Sequence, residues 1–411
     1  MPALVMVLLL AAAVKDGPTP LRSGCSPDAR VLASLPAGVP VTIKYSINAE
    51  NGPCYKVSVE LEGKTLEGSL PATVVDQTDE FDQARRQAVW MDTPMIVNQL
   101  RASPALPSLR ASPGVSAATV AVGQKAVDLI GSSRPQKALE LLEPELKLHR
   151  DPGLLALAGV AAWRSDDPRL ALQYLRASLD LAPSPEVDRI YRQVERESKG
   201  DQSTERLYGL RVLLRYESSI VPTETARQMT TVLDQEFIRI SQQLGCSADE
   251  RVIAIVQSRD AYRKTTDSAE WSGGQFDGKI RVPVFDPKVL DKGMIRSLQH
   301  ETTHACLTMI GRWPAWLQEG IAQKLSGDTL TPAQTKQIIG WVHDGKLPRL
   351  SNLRQDWSRM DAAHASLAYA LSLAAVEMLW QDSGDDGIRN LLRNPERLPQ
   401  VTAELDRKLG L

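Results

Sequence analysis

The chain has 411 residues, room for about two to four domains of ordinary size, and is 43% hydrophobic and 5% aromatic. Its formal charge is −2, from 48 Lys+Arg against 50 Asp+Glu. That balance excludes electrostatically driven binding to nucleic acid or to an anionic membrane.

Residues 1–14 form one apolar run, too short to span a bilayer and ending in small residues before Lys15-Asp16-Gly17. The run reads as the core of a secretory signal peptide with cleavage near Ala13, although no basic residue precedes it. A trimmed start or a buried N-terminal strand is the other reading. Arg22, three residues before Cys25, argues against a lipoprotein signal. The expected location is therefore exported, periplasmic or secreted.

Residues 22–78 are dense in strand signals, at 31–35, 39–47, 54–61 and 64–70, separated by turns at Pro36-Ala37-Gly38, 50–53 and Glu62-Gly63. They predict a small β-barrel. Such a barrel has a modest core, and a Cys25–Cys54 disulfide in an oxidising compartment would strengthen it. The run Cys54-Tyr-Lys-Val-Ser-Val59 with Glu67-Gly-Ser-Leu-Pro-Ala72 resembles a bacterial SH3-like domain. That resemblance implies a cell-wall or protein ligand.

Residues 79–118 predict a helix over 81–100 and then a Pro/Ser-rich linker. Within 119–200, Ala138-Leu-Glu-Leu-Leu142 recurs thirty-three residues later as Ala171-Leu-Gln-Tyr-Leu175, each behind a Pro-containing turn. This spacing resembles tetratricopeptide repeats, one regular and one degenerate, with 186–199 as a capping helix. The repeats offer a surface for a protein partner.

Residues 205–411 predict an α+β domain: a strand at 210–216, a helix over 223–244 capped by Thr223 and stopped by Gly245, and strands at 251–257 and 280–285. Pro283 places the last strand at a sheet edge, where extended substrate could add.

After that strand comes His300-Glu301-Thr302-Thr303-His304. Positions i and i+4 share one helical face, so both imidazoles can reach one zinc ion while Glu301 serves as base toward a zinc-bound water. A catalytic zinc site takes a third protein ligand. Glu319 in Trp316-Leu-Gln-Glu-Gly-Ile-Ala322 supplies it, with room between for a turn and a second helix.

These two segments, with Trp271-Ser-Gly-Gly-Gln-Phe-Asp-Gly278 before them and His364-Ala-Ser-Leu-Ala-Tyr-Ala-Leu-Ser372 after, resemble the bacterial gluzincin metallopeptidases of the peptidase MA-like group. The resemblance implies zinc on His300, His304 and Glu319, Glu301 as general base, Tyr369 as electrophilic donor, and a peptide or protein substrate. His343 and His364 read as surface or supporting histidines. Gln323 stands where some gluzincins have an acid. Cys306 reads as a small apolar helix residue, with a bridge to Cys246 left open. The competing function class is an inactive, peptidase-like scaffold of the cell envelope.

Overall fold

The computed structural model describes residues 12–49, 52–78, 89–91, 109–111, 115–200, 204–247, 250–266, 274–284, 288–353 and 362–410. Along the chain it has a small N-terminal β region, then a helical segment, then a region of mixed strands and helices.

The β region contains β1 (Ala13–Val14), β2 (Thr19–Arg22), β3 (Val31–Leu35), β4 (Thr42–Ala49), β5 (Gly52–Leu61), β6 (Lys64–Pro71) and β7 (Val75–Asp76). Strands β2–β6 form an antiparallel sheet in the order β3-β2-β6-β5-β4. The expected barrel is not closed, because β3 and β4 end the sheet without pairing with each other among the described residues. Backbone between them goes elsewhere. The Val14 amide donates to Val39 O, Gly38 N to Val14 O, and Val41 N to Ala12 O. These bonds also explain why the strand expected from 39 begins at Thr42. β1 pairs with β7, and Val14 joins the core of Leu21, Leu35, Val57 and Leu70. Residues 1–11 of the expected signal peptide lie outside the described residues. Cys25 and Cys54 are joined by a disulfide, with Cα atoms 6.0 Å apart.

Most of the helix expected at 81–100 also lies outside the described residues. Its described part is strand instead: β8 (Val89–Met91) pairs antiparallel with β9 (Leu109–Ala111).

The helical segment comprises α1 (Ala117–Gly131), α2 (Pro135–Leu148), α3 (Pro152–Arg164), α4 (Pro168–Leu181) and α5 (Pro185–Gly200). Proline opens α2 to α5, a position where its missing N–H costs nothing and its fixed φ suits the helix. Asp151 and Asp167 side chains accept from the N3 amides of α3 and α4. Ala138 and Ala171 are both fully buried, as a thirty-three-residue spacing requires, and α3 packs closely on α4. A Cβ at Gly159 would lie 2.5 Å from Leu175, so only glycine permits that approach. Helix α5 adds Val187, Ile190 and Val194 to the same core.

The third region holds β10 (Thr204–Tyr208), β11 (Val212–Glu217), α6 (Thr223–Leu244), β12 (Val252–Ser258), α7 (Arg259–Thr266), β13 (Gln275–Phe276) and β14 (Ile280–Val284). Helices α8 (Lys292–Ile310), α9 (Ala315–Leu325), α10 (Pro332–His343), α11 (Ala362–Arg393, broken at Gly384) and α12 (Leu398–Lys408) follow. The sheet order is β10-β11-β12-β14-β13, with the three central strands parallel and both outer pairs antiparallel. Parallel neighbours need crossovers, and α6 and α7 provide them. Helix α6 faces the sheet with Leu233, Phe237, Ile240 and Leu244, an i, i+4, i+7, i+11 stripe.

Two local expectations change and one open question closes. Thr223 does not cap α6; it is the first helical residue, after Pro222, and its hydroxyl accepts from Tyr216 (3.2 Å). β14 is not wholly an edge, because the short strand β13 pairs with Ile280 and Arg281; among the described residues none pairs with 282–284 on that side. A two-residue strand gives no periodicity to read. Cys306 is fully buried in the apolar core, and the bridge left open is formed: it is joined to Cys246, with Cα atoms 5.5 Å apart. Gly245, left-handed at φ 86°, turns the chain out of α6 and sets Cys246 against α8.

Candidate metal and catalytic site

Helix α8 carries the first half of the site. The Asp291 side chain caps it by accepting from the Met294 amide. Its interior holds hydroxyls that would be costly if unbonded, and each is satisfied by the preceding turn. Thr302 Oγ1 donates to Leu298 O (2.7 Å) and Thr303 Oγ1 to Gln299 O (2.9 Å). The helix stops at Gly311, whose backbone is extended rather than left-handed; a Cβ there would press on the Trp313 ring at 3.1 Å. Trp313 Nε1 donates to Leu307 O, which also accepts from the Gly311 amide at the helix end.

Helix α9 carries the second half. Gln318 Nε2 donates back to Trp313 O at 2.7 Å and fixes the turn between the helices. Gly320 allows α9 to lie directly on α11, since a Cβ would come within 2.4 Å of Ser372 O. Glu319 is thereby brought to α8 on one side, and Tyr369 approaches from α11 on the other.

Three donor groups meet. His300 Nε2 and His304 Nε2 are 3.1 Å apart, His300 Nε2 is 3.3 Å from Glu319 Oε2, and His304 Nε2 is 3.5 Å from Glu319 Oε1. Tetrahedral zinc with bonds of about 2.0–2.1 Å sets its ligand atoms about 3.3–3.4 Å apart, so these spacings suit it. Among the described residues this is the group of His, Cys, Asp and Glu side chains whose ligand atoms all lie within 4.8 Å of one another. Glu319 Oε2 is buried and makes no well-formed hydrogen bond, as a ligand oxygen held for an ion would be. The residues fit a divalent cation.

Electrostatics separate the two glutamates. Burial alone would raise the Glu319 pKa, but the charge of His304 and the proximity of both imidazoles hold it well below the usual carboxylate range. Glu301 is 5% exposed, and its Oε2 has no hydrogen-bond partner. Burial pushes it up to about 8; His300 pulls it down while Glu319 and Asp277 push it further up. A carboxyl near neutrality is suited to taking and returning a proton. The Tyr369 phenol is also held above its usual range, first by Glu319, then by burial, Glu301 and Tyr262, which places those groups around it.

The remaining histidines stay apart from this cluster. The His343 side chain is 88% exposed beside Asp344, and His364 packs edge-on against Trp341. Gln323 takes a part that its sequence position did not disclose. One turn after Glu319, its Nε2 donates to Tyr369 O (3.0 Å) and lies 3.2 Å from Glu319 O, tying the ligand helix to the tyrosine helix. No group among the described residues accepts from or donates to His304 Nδ1. Gly274 was also not singled out by sequence: a Cβ there would sit 2.6 Å from Glu301 Oε1, so the Glu301 carboxyl packs on bare backbone. The consecutive glycines of Trp271-Ser-Gly-Gly-Gln were the available signal. Tyr262, fully buried on α7, carried none.

No known family model matches the chain, and no curated protein matches it. The chemistry has to be read from the residues themselves.

Proposed function

We propose that this chain is an exported zinc metallopeptidase that hydrolyses peptide bonds. The observation that carries the reading is the meeting of His300, His304 and Glu319 beside the buried Glu301, whose Oε2 has no hydrogen-bond partner. Those three side chains would hold a zinc ion, which when bound would supply Lewis acidity toward a carbonyl and lower the pKa of water. Glu301 takes the proton of the attacking water and passes it to the leaving amine. Tyr369 donates a hydrogen bond to the oxyanion that forms on the scissile carbonyl. Burial of Glu301 keeps bulk water from competing for its proton.

On this reading the third region is a gluzincin-like domain, the helical segment a pair of tetratricopeptide-like units, and the β region an SH3-like module. The two disulfides support an oxidising location. Among the described residues no helix is long and apolar enough to cross a membrane.

The test is metal analysis of purified protein together with digestion of an unfolded protein substrate, with and without chelator. One zinc per chain and chelator-sensitive cleavage are expected, with Glu301→Gln retaining zinc and losing turnover by about 10²-fold or more. Cleavage that survives Glu301→Gln would refute the mechanism.

A further inference from the structure

The helical segment meets the third region beside the candidate site through buried polar side chains, Arg164 among them. Arg164 ends α3 and is buried against the third region. Its Nη1 donates to Ile130 O (3.0 Å) on its own side and its Nη2 to Asp277 O (3.1 Å) on the other. Burial brings its pKa down to about 10, although Asp277 draws it up. Asp277, Gly278 and Lys279 form the turn between β13 and β14, with Lys279 N donating to Asp277 Oδ1. Gly278 has φ +99° and lies so close that a Cβ would be 2.6 Å from the guanidinium Nε. The tip of the hairpin is pressed on the arginine.

Its other end is pressed on the base. Gly274, three residues before Asp277, is the residue whose Cβ would meet Glu301. Hydrogen-bonded charges hold the hairpin on its polar side, while Phe276 and Ile280 join the apolar core. Glu197 of α5 accepts from Trp163 Nε1 (2.7 Å) and from Arg281 Nη2 (2.9 Å), while Arg281 Nε donates to Asp277 Oδ2 (2.9 Å). Lys279 lies 3.9 Å from both Glu197 and Asp166, and Asp166 also pairs with Arg215. Such bonds are directional and fix position more tightly than apolar contact does. Outside this cluster, Glu250 accepts from the Gln136 and Lys137 amides at the start of α2, a second joint between the regions.

We propose that Arg164 is a positioning residue for the general base: by gripping the Asp277–Lys279 turn it sets where Gly274 lies, and so where the Glu301 carboxyl points. The proposal rests on the metallopeptidase reading. It makes the helical segment part of the site's scaffold in addition to any binding surface it offers.

The full chain is compared with Arg164→Met, which keeps the aliphatic stem, and with Arg164→Lys, which still reaches one carbonyl. The readouts are kcat, KM, zinc per chain, melting temperature and amide exchange of peptides covering 274–284. For Arg164→Met, zinc remains at one per chain, KM changes less than about 2-fold, and kcat falls about 10-fold to 10²-fold, the cost of a small misplacement of a reacting group. Exchange in the hairpin rises, and Arg164→Lys recovers part of kcat. Should Arg164→Met fail to fold, Arg164→Lys is read by the same measurements, with smaller changes in the same directions. Unchanged exchange with an active wild type overturns the proposal alone. So does a loss of activity that merely tracks lost zinc or unfolded protein. A wild type without hydrolytic activity overturns the metallopeptidase reading, and the proposal with it.

Discussion

Replacing Glu301 by glutamine should do more than stop turnover: in metal-free protein it should change how stability depends on pH. The carboxyl titrates at about 8 in the fold, against 4.5 for an ordinary glutamate, and burial is the main cause. Below 4.5 both folded and unfolded chains hold this proton, and the group is neutral to stability. Between 4.5 and 8 the unfolded chain gives the proton up and the folded chain keeps it. Stability therefore falls as pH rises through that window, and the loss is complete above the folded value. A shift of this size corresponds to at most about 5 kcal/mol, and about 2–4 kcal/mol is the working expectation once water penetration is allowed for. A glutamine side chain at this position has nearly the same shape and does not titrate. Any fixed cost of its amide is the same at every pH, so the diagnostic quantity is a slope. Chelator-treated wild type and Glu301→Gln are unfolded in urea between pH 4.5 and 8.5. The variant should gain on the wild type steadily across the window. Zinc added back should narrow the gap, since a nearby cation favours the ionised carboxylate. A difference between the two proteins that stays flat with pH would refute the burial argument.

Tyr369→Phe keeps the ring and its packing, so kcat and kcat/KM should fall together by about 10²-fold with little change in melting temperature; unchanged turnover would remove the tyrosine from the oxyanion. Gly320→Ala drives a methyl into the Ser372 carbonyl; a loss of about 1–3 kcal/mol in urea unfolding is expected, with weaker zinc retention as Glu319 is displaced. Zinc analysis of His304→Ala should show loss of the metal, and full occupancy would overturn the ligand set. Non-reduced digests of protein collected from periplasm or medium should contain Cys25 and Cys54 peptides linked, and free thiols there would overturn the bridge.

The site was more legible in the sequence than its surroundings. A helical i,i+4 histidine pair is a strictly local signal, and Glu319 needed only a turn and a second helix to meet it. Gly245 and the thirty-three-residue Pro-led repeat were equally local, and the helix and repeat ends follow them. What escaped depends on contacts distant in sequence. Nothing local to Arg164 or Glu197 discloses that each is buried against a hairpin 84 to 113 residues away. The open edge of the first sheet escaped for a similar reason, since residues 38–41 spend their backbone bonds on residues 12–14. β13 pairs only two residues, too few for any alternation.

The Cys246–Cys306 bridge has a consequence for metal retention. It closes a sixty-residue loop that carries β12, the hairpin and both histidines, while Glu319 and Tyr369 lie beyond it. In the chain-entropy account such a closure is worth about 4 kcal/mol, on the order of half the net stability of a marginal domain. Glu319 stays tethered to the histidines by the same short stretch of chain in either redox state; what the bridge adds is a firm seat for the histidine helix on α6, so metal is expected to be held more weakly before thiol pairing. On the export and metallopeptidase readings, protein still in a reducing compartment would hold zinc less firmly than protein released from it. Zinc affinity measured with the thiols reduced and with them paired would show the difference, with equal affinity as the contrary result.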